Sequence, residues 1–214
     1  VIIPAIPDLT SKLEDISNYY YRKNPEGANE AINELKKTVL EFSSLLYSDK
    51  NRINEISVYI DEKTEYLRAF SNDLFTLFEE KAVLAQGELI CSYLFINLLN
   101  ENKTDAVELS ALDFMRIDKY SDPDTEFIRT RLTELLEANK TNLYITQGYI
   151  CRNAYGEIDD FRKGGNDYSA TLIGAAVNAT EIQIWTDTGG MYNIDPEIIE
   201  TAENIDSLSF DEAA

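Results

Sequence analysis

The chain has 214 residues, 44% apolar and 11% aromatic, enough to bury one substantial core as a single large α/β domain. Its 19 Lys and Arg stand against 39 Asp and Glu, a net charge of -20 that repels nucleic acid and anionic membrane surfaces. Histidine is absent, which excludes Ser-His-Asp and Cys-His chemistry and imidazole metal ligands. Any chemistry must then run on Lys, Arg, carboxylates and backbone amides. Cys91 and Cys151 lie in apolar stretches without metal or disulfide spacing and are expected as two buried thiols. No basic segment leads into an apolar signal core, and Val1 to Ile6 is too short and proline-broken to span a bilayer, so a cytoplasmic setting is expected.

In chain order, Val1-Ile2-Ile3 reads as a buried strand. Pro4, Pro7 and Asp8 turn it toward a helix with Ser11 as N-cap and Glu14 three residues on. From Ala28 to Leu46 the apolar positions Ile32, Leu35, Val39, Phe42 and Leu46 step by three and four, the spacing of one buried helical face. Ile53, Ile56, Ile60, Leu67 and Phe70 continue it, then Phe75, Phe78 and Val83, then Leu89, Leu94 and Leu98 beyond Gly87. The second half changes period. Residues 106–109, 143–150 and 182–185 read as strands, separated by helical patterns over 126–138 and 168–179, which implies a mainly parallel sheet. Residues 210–214 look like the first turn of a helix cut short, so the chain looks cut at both ends.

Three stretches carry candidate chemistry. In Asp160-Phe161-Arg162-Lys163-Gly164-Gly165-Asn166-Asp167-Tyr168, two glycines let backbone approach a ligand, and Asn166 or Asp167 can cap the next helix. Residues 141–214 contain three basic side chains against thirteen acids, and two of the three, Arg162 and Lys163, sit at this turn as a local anion site. A solvated loop with a capped helix fits the same residues. Ile184-Trp185-Thr186-Asp187 closes an expected buried strand before a glycine-rich loop, placing Thr186 and Asp187 where α/β sheets bind ligands, although a plain turn also fits. Gln86 to Ser92 is expected to open an apolar helix with Glu88 in its first turn, where dipole compensation would explain the carboxylate.

Gly87-Glu88-Leu89, Thr146-Gln147-Gly148-Tyr149, Gly164-Gly165-Asn166-Asp167-Tyr168, Ile184-Trp185-Thr186-Asp187 and Asp195-Pro196, in this order, resemble the aspartate kinases of the amino-acid kinase superfamily. The resemblance implies a three-layer αβα sandwich with a mainly parallel central sheet and a helical insertion in the first half. It implies one catalytic domain over 1–214, without the family's first strand and C-terminal ACT domains. It also implies ATP-dependent phosphorylation of the aspartate β-carboxylate, the first step toward lysine, threonine and methionine, with ATP and Mg²⁺ and a possible homo-oligomer. By the same resemblance Glu88 and Thr10 bind aspartate, and Lys163, where the family usually has Arg, faces its carboxylate. Asp167 organises the centre, Gly164 and Gly165 cradle the phosphate in flight, and Thr186, Asp187 and Tyr192 contact the nucleotide. The family's Lys-Phe-Gly-Gly-Thr-Ser and Gly-Ala-Lys are not in the chain. Pro4 replaces a usual Ser, Pro7-Asp8 replaces a Ser-Gly or Gly-Gly pair, and Glu197 replaces a common Arg. These departures leave room for a non-catalytic ligand-binding or regulatory relative.

Overall fold

The structure, a computed structural model, describes residues 1–214 except 73, 162–164, 188, 200 and 214. It divides into two compact units, Val1–Thr180 and Glu181–Ala214. The first opens with β1 (Ile2–Ile3), followed by helices α1 (Pro7–Tyr21), α2 (Pro25–Leu46), α3 (Lys50–Ala69) and α4 (Leu77–Glu101). Then come β2 (Val107–Glu108), α5 (Ala111–Phe114), α6 (Thr125–Ala138), β3 (Tyr144–Gln147), β4 (Ile150–Arg152), β5 (Ile158–Asp160) and α7 (Gly165–Ala176). The second unit carries α8 (Phe210–Ala213), begun by a reciprocal pairing in which Glu212 takes the Ser209 N–H at 2.8 Å and returns its own to Ser209 Oγ.

The helical half is built by capping and burial. Asn24 accepts the Gly27 N–H at 3.0 Å with Pro25 at the first helical position of α2, and Ile32, Leu35 and Val39 on the expected face are buried. Helix α4 starts at a capping box. Thr76 accepts the Phe78 N–H at 3.3 Å, and Glu79 accepts from the Thr76 hydroxyl and, at 2.7 Å, from the Thr76 N–H; the hydroxyl first, then the N–H, hold the Glu79 carboxyl below its usual range. Two corrections belong here. Helix α1 begins at Pro7, not at Ser11, because proline at the first helical position needs no N–H and already has a helical φ. Helix α4 begins ten residues before Gly87, so Glu88 lies three turns inside it, too far from the N-terminus for its dipole to matter.

Helix α4 serves two cores. Val83, Ile90 and Leu94 join Leu9, Leu13 and Ile16 of α1, Ile32 and Leu35 of α2, and Ile56 and Ile60 of α3. Ala85 and Leu89 join a second core with Phe114, Met115, Ile128, Leu132, Ile150, Cys151 and Phe161. Each fully buried Leu or Ile contributes about 1.5–3 kcal/mol relative to exposure. Packing on both sides makes α4 apolar around most of its circumference. It is long and apolar enough to cross a membrane, yet two thirds of that stretch is buried in this fold.

The strands β1, β3 and β2 lie side by side in that order, all parallel, with Ile2 opposite Thr146 and Val107 opposite Tyr144. Alternation along β3 assigns the layers. The Tyr144 hydroxyl donates to carbonyls at Leu136 and Asn139 at the end of α6, whereas the Gln147 amide, of opposite parity, donates to Ser92 Oγ of α4 at 2.6 Å. Helices therefore cover both faces, as expected of a three-layer α/β sandwich. The expected strand over 143–150 is interrupted. Chain direction changes at Gly148 and at Tyr149, whose φ is +63°, and β4 then pairs with β5 as an antiparallel hairpin. Buried Lys81 of α4 pins this hairpin through Asp159 and, at 3.5 Å, Asp160.

Residues 182–185 do not form the expected buried strand. No strand among the described residues of this unit accepts their backbone groups, and Ile182, Ile184 and Trp185 are exposed, Trp185 by 88%.

Candidate active site

Glu88 is a buried carboxyl of the first unit. Gly87 allows the geometry, because a Cβ there would stand 3.1 Å from Leu13 Cδ1 and 3.2 Å from Ala5 Cβ. With hydrogen in its place, α4 lies against α1 and the turn that follows β1. The Ala5 backbone amide and the Asn166 side chain, from the first turn of α7, then favour the charged form of the Glu88 carboxyl. One of its oxygens, Oε2, is buried and has no hydrogen-bond partner among the described residues. Glu88 is only 6% exposed, and burial pushes its carboxyl up to about 7, partly offset by these two groups.

The surroundings come from the carboxyl ends of the parallel strands, where open α/β sheets place their ligands. Ala5 follows β1, and Gly148 follows β3. A Cβ on Gly148 would fall 2.1 Å from Asn166 Oδ1 and 2.9 Å from Ile2 Cγ2, so this step needs glycine for α7 to approach β1 and β3. The Ser169 hydroxyl fastens α7 from the same side by accepting the Tyr149 N–H at 2.9 Å. One turn along α4 from Glu88, Cys91 Sγ accepts the Ile6 N–H at 3.4 Å. Burial, partly offset by that bond, raises the Cys91 thiol. Burial, with Asp160 and Glu88 adding to it, pushes the Tyr149 phenol up to about 12. Both groups are neutral near pH 7.

Thr10 lies in the first turns of α1, with its hydroxyl directed to the Ile6 carbonyl at 3.4 Å. Asn166 and Asp167 are inside α7 and do not precede it, which corrects the reading of either as a cap. Gly165 begins the helix at φ +50°, a conformation glycine adopts without strain. Asp167 is exposed in the first turn. Lys163 and Gly164, and with them the expected anion site, lie outside the described residues. Thr186, Asp187 and Tyr192 belong to the second unit. There the Thr186 hydroxyl donates to Asp187 at 3.3 Å, and Tyr192 bridges to Asn204. Among the described residues, no three Cys, Asp or Glu side chains converge on a position able to hold a metal ion.

The unit thus presents a buried carboxylate with one free oxygen, at the edge of a parallel sheet and beside a helix that begins at a glycine. A model of the amino acid kinase family matches residues 21–214. The chain belongs to the amino acid kinase family. Among family members, lysine-sensitive aspartokinase 3 of Escherichia coli is 30% identical over 183 residues, 76% of this chain and 41% of that protein. An aspartokinase of Chlamydia trachomatis is 31% identical over 99% of this chain and 47% of its own length. The chain thus spans less than half the length of these curated relatives. In fold, E. coli aspartokinase III in complex with aspartate and ADP superposes with a TM-score of 0.78 at 26% identity, covering 96% of this chain and 46% of that one. The closeness of the Ala5 amide, the Asn166 side chain and the bare Gly148 to one another escaped the sequence reading, which had Asn166 only as a candidate helix cap and Gly148 only as part of a matching stretch.

Proposed function

We propose that this amino acid kinase chain is part of an aspartate kinase that transfers the γ-phosphoryl group of Mg·ATP to the β-carboxylate of aspartate. The observation that carries the proposal is Glu88, a buried carboxylate with one oxygen unpartnered among the described residues, at the carboxyl edge of the parallel sheet. An α-ammonium supplies the missing donor and the opposite charge. The aspartate and ADP held by E. coli aspartokinase III support the same substrate pair.

In this reading Glu88 holds the ammonium, Thr10 and Lys163 the carboxylates, and Asp167 orients the reacting groups. Gly164 and Gly165 present backbone amides to the phosphoryl group, and Thr186, Asp187 and Tyr192 hold the nucleotide. A β-carboxylate oxygen attacks the γ-phosphorus in line, the bond from that phosphorus to the β-γ bridging oxygen breaks, and ADP leaves with the electron pair. The products are β-aspartyl phosphate and ADP, with no covalent enzyme intermediate. Positioning and neutralisation of charge supply most of the rate in such transfers. Mg²⁺ enters as part of the nucleotide substrate, held chiefly by its phosphates. The setting proposed is cytoplasmic, at the entry to lysine, threonine and methionine synthesis.

Hydroxylamine trapping of acyl phosphate by the full-length protein, with Mg·ATP and aspartate, tests the assignment. The expected result is aspartyl hydroxamate in proportion to ADP, and no hydroxamate despite bound ATP would refute it. One observation favours a non-catalytic relative as the second reading: Glu197 is an exposed carboxylate at a position where the family commonly has arginine. Its charge opposes phosphate binding, and the same assay separates the two.

A further inference from the structure

We propose that Gln147 is a positioning residue for phosphoryl transfer: its carboxamide is the strut that sets α7 at a fixed distance from α4 across the end of β3. This rests on the aspartate kinase reading, in which Glu88 on α4 holds the amino acid and Gly165 on α7 faces the phosphoryl group. Gln147 closes β3 and is buried. Its carboxamide makes three hydrogen bonds, each to a different element. Nε2 donates to Ser92 Oγ of α4 at 2.6 Å and to Glu108 Oε1 of β2 at 2.8 Å, and Oε1 accepts the Ala111 N–H at the start of α5 at 2.8 Å. Ser92 gives its own proton to the Leu89 carbonyl at 3.2 Å, so its oxygen is free to accept. Only one orientation of the amide fits. Turned over, it would set its oxygen against the Glu108 carboxylate and its NH2 group against the Ala111 N–H.

The two residues that follow Gln147 are the turn that holds α7. Tyr149 has a φ of +63°, a costly conformation for a bulky side chain that persists only where the surroundings impose it. On the far side of the turn, the Tyr149 N–H donates to Ser169 Oγ at 2.9 Å and the Tyr149 carbonyl accepts the Phe161 N–H at 2.9 Å. Ser169 in turn donates to the Gly165 carbonyl at 3.2 Å, which brings the contacts to the first residue of α7. On the near side, the three bonds of Gln147 hold the strand end from which the turn departs. Ser92 lies one turn along α4 from Glu88, and Ser169 one turn along α7 from Gly165, so each anchor is next to the group it places. Without the strut, each helix keeps the groups that bind its own ligand. The attacking carboxylate and the phosphorus lose their alignment, and a misplacement of about 1 Å costs up to about a hundredfold in rate.

Steady-state kinetics of the full-length protein, read by hydroxylamine trapping with Mg·ATP and aspartate, test this with Gln147→Met, which fills the same space and makes none of the three bonds. Its kcat should fall by about tenfold or more, while KM for aspartate and for ATP each stay within about threefold. Ile32→Ala, a large-to-small change in the core of α2 away from the turn, is the control for lost stability. Assayed below its melting transition, it should keep kcat within about twofold of wild type. If Gln147→Met does not melt cooperatively, Ser92→Ala decides: it removes one bond of the three and should lower kcat by about threefold to tenfold. A kcat within about twofold of wild type in the deciding variant overturns the role of Gln147, as does a loss carried by KM alone or an equal loss of kcat in Ile32→Ala. Wild-type protein that binds ATP and yields no hydroxamate overturns the aspartate kinase reading, and the role of Gln147 with it.

Discussion

Glu88→Gln should make the protein more stable while removing its proposed ligand. In the folded chain Glu88 takes up a proton near pH 7, against an ordinary value of 4.5. The folded state therefore binds more protons than the unfolded chain between these values. Stability falls as pH rises through that window, and the whole penalty is present above it. At about 1.4 kcal/mol per pH unit the interval corresponds to about 3 kcal/mol, an upper figure because the carboxylate and its surroundings can relax. Glutamine has the same shape, carries no charge and keeps a carbonyl oxygen as an acceptor. Its amide can also turn toward the unpartnered Asn166 Oδ1. At pH 8 the variant should gain about 1–3 kcal/mol in urea unfolding, and the gain should vanish below about pH 4. Aspartate affinity at pH 8 should drop about a hundredfold, because the ammonium has lost its counter-charge. A variant less stable than wild type at pH 8, or equally stabilised at pH 4, would refute the idea that the carboxylate is held desolvated and short of donors.

The other predictions concern the walls of the site and the frame that holds it. Gly148→Ala puts a methyl group 2.1 Å from Asn166 Oδ1 and 3.0 Å from Asn166 Cα, so α7 must shift; a loss of about 1–3 kcal/mol in urea unfolding and a larger fall in aspartate affinity than in ATP affinity are expected. Lys81→Met strands Asp159 and Asp160 in a buried position and should cost about 3–5 kcal/mol, most of it recovered when both are changed to Asn; a loss under about 1 kcal/mol would show the ion pair to be dispensable. Leu13→Ala, which removes the side chain that meets Gly87, should cost about 2–5 kcal/mol by thermal melting and weaken aspartate binding by loosening α1 against α4.

Legibility in the sequence followed the physics of each element. Helix α2 was plain because only one face is buried, so Ile32, Leu35 and Val39 keep a clean period. Helix α4 was misplaced at its start because two cores bury it on both sides, which erases the period, and its boundary rests on a capping box at Thr76 and Glu79. The parallel sheet was legible as alternation of strands and helices, and its order β1-β3-β2 agrees with that expectation in kind. The strand expected over 143–150 runs past the end of β3, since Gly148 and Tyr149 look like any apolar continuation until α7 lies across them, and the β4–β5 hairpin went unread. Residues 182–185 carry the composition of a strand but lack a described neighbour to pair with, and composition cannot supply one. Glu88 was singled out from the sequence, yet the Asn166 side chain that acts on it is seventy-eight positions away and nears it only through tertiary packing.

A carboxylate inside an apolar helix is a poor choice for stability, and the fold shows what makes it tolerable. Two uncharged polar groups favour the charged form of Glu88 from different directions, a backbone amide that follows β1 and a side chain that begins α7, and each comes close only because a glycine removes the atom that would block it. Gly87 admits the turn after β1, and Gly148 admits α7. Neither group carries charge, so the carboxylate remains uncompensated, and its Oε2 has no hydrogen-bond partner among the described residues. Had the fold placed Lys81 here, as it does against Asp159 one strand away, the same helix would hold a satisfied ion pair and no binding site. One side of α4 thus carries a buried charge that is neutralised, and another carries one that is left open. That difference is why Glu88, and not the more completely paired Lys81 cluster, is the position proposed for a cationic group of the ligand.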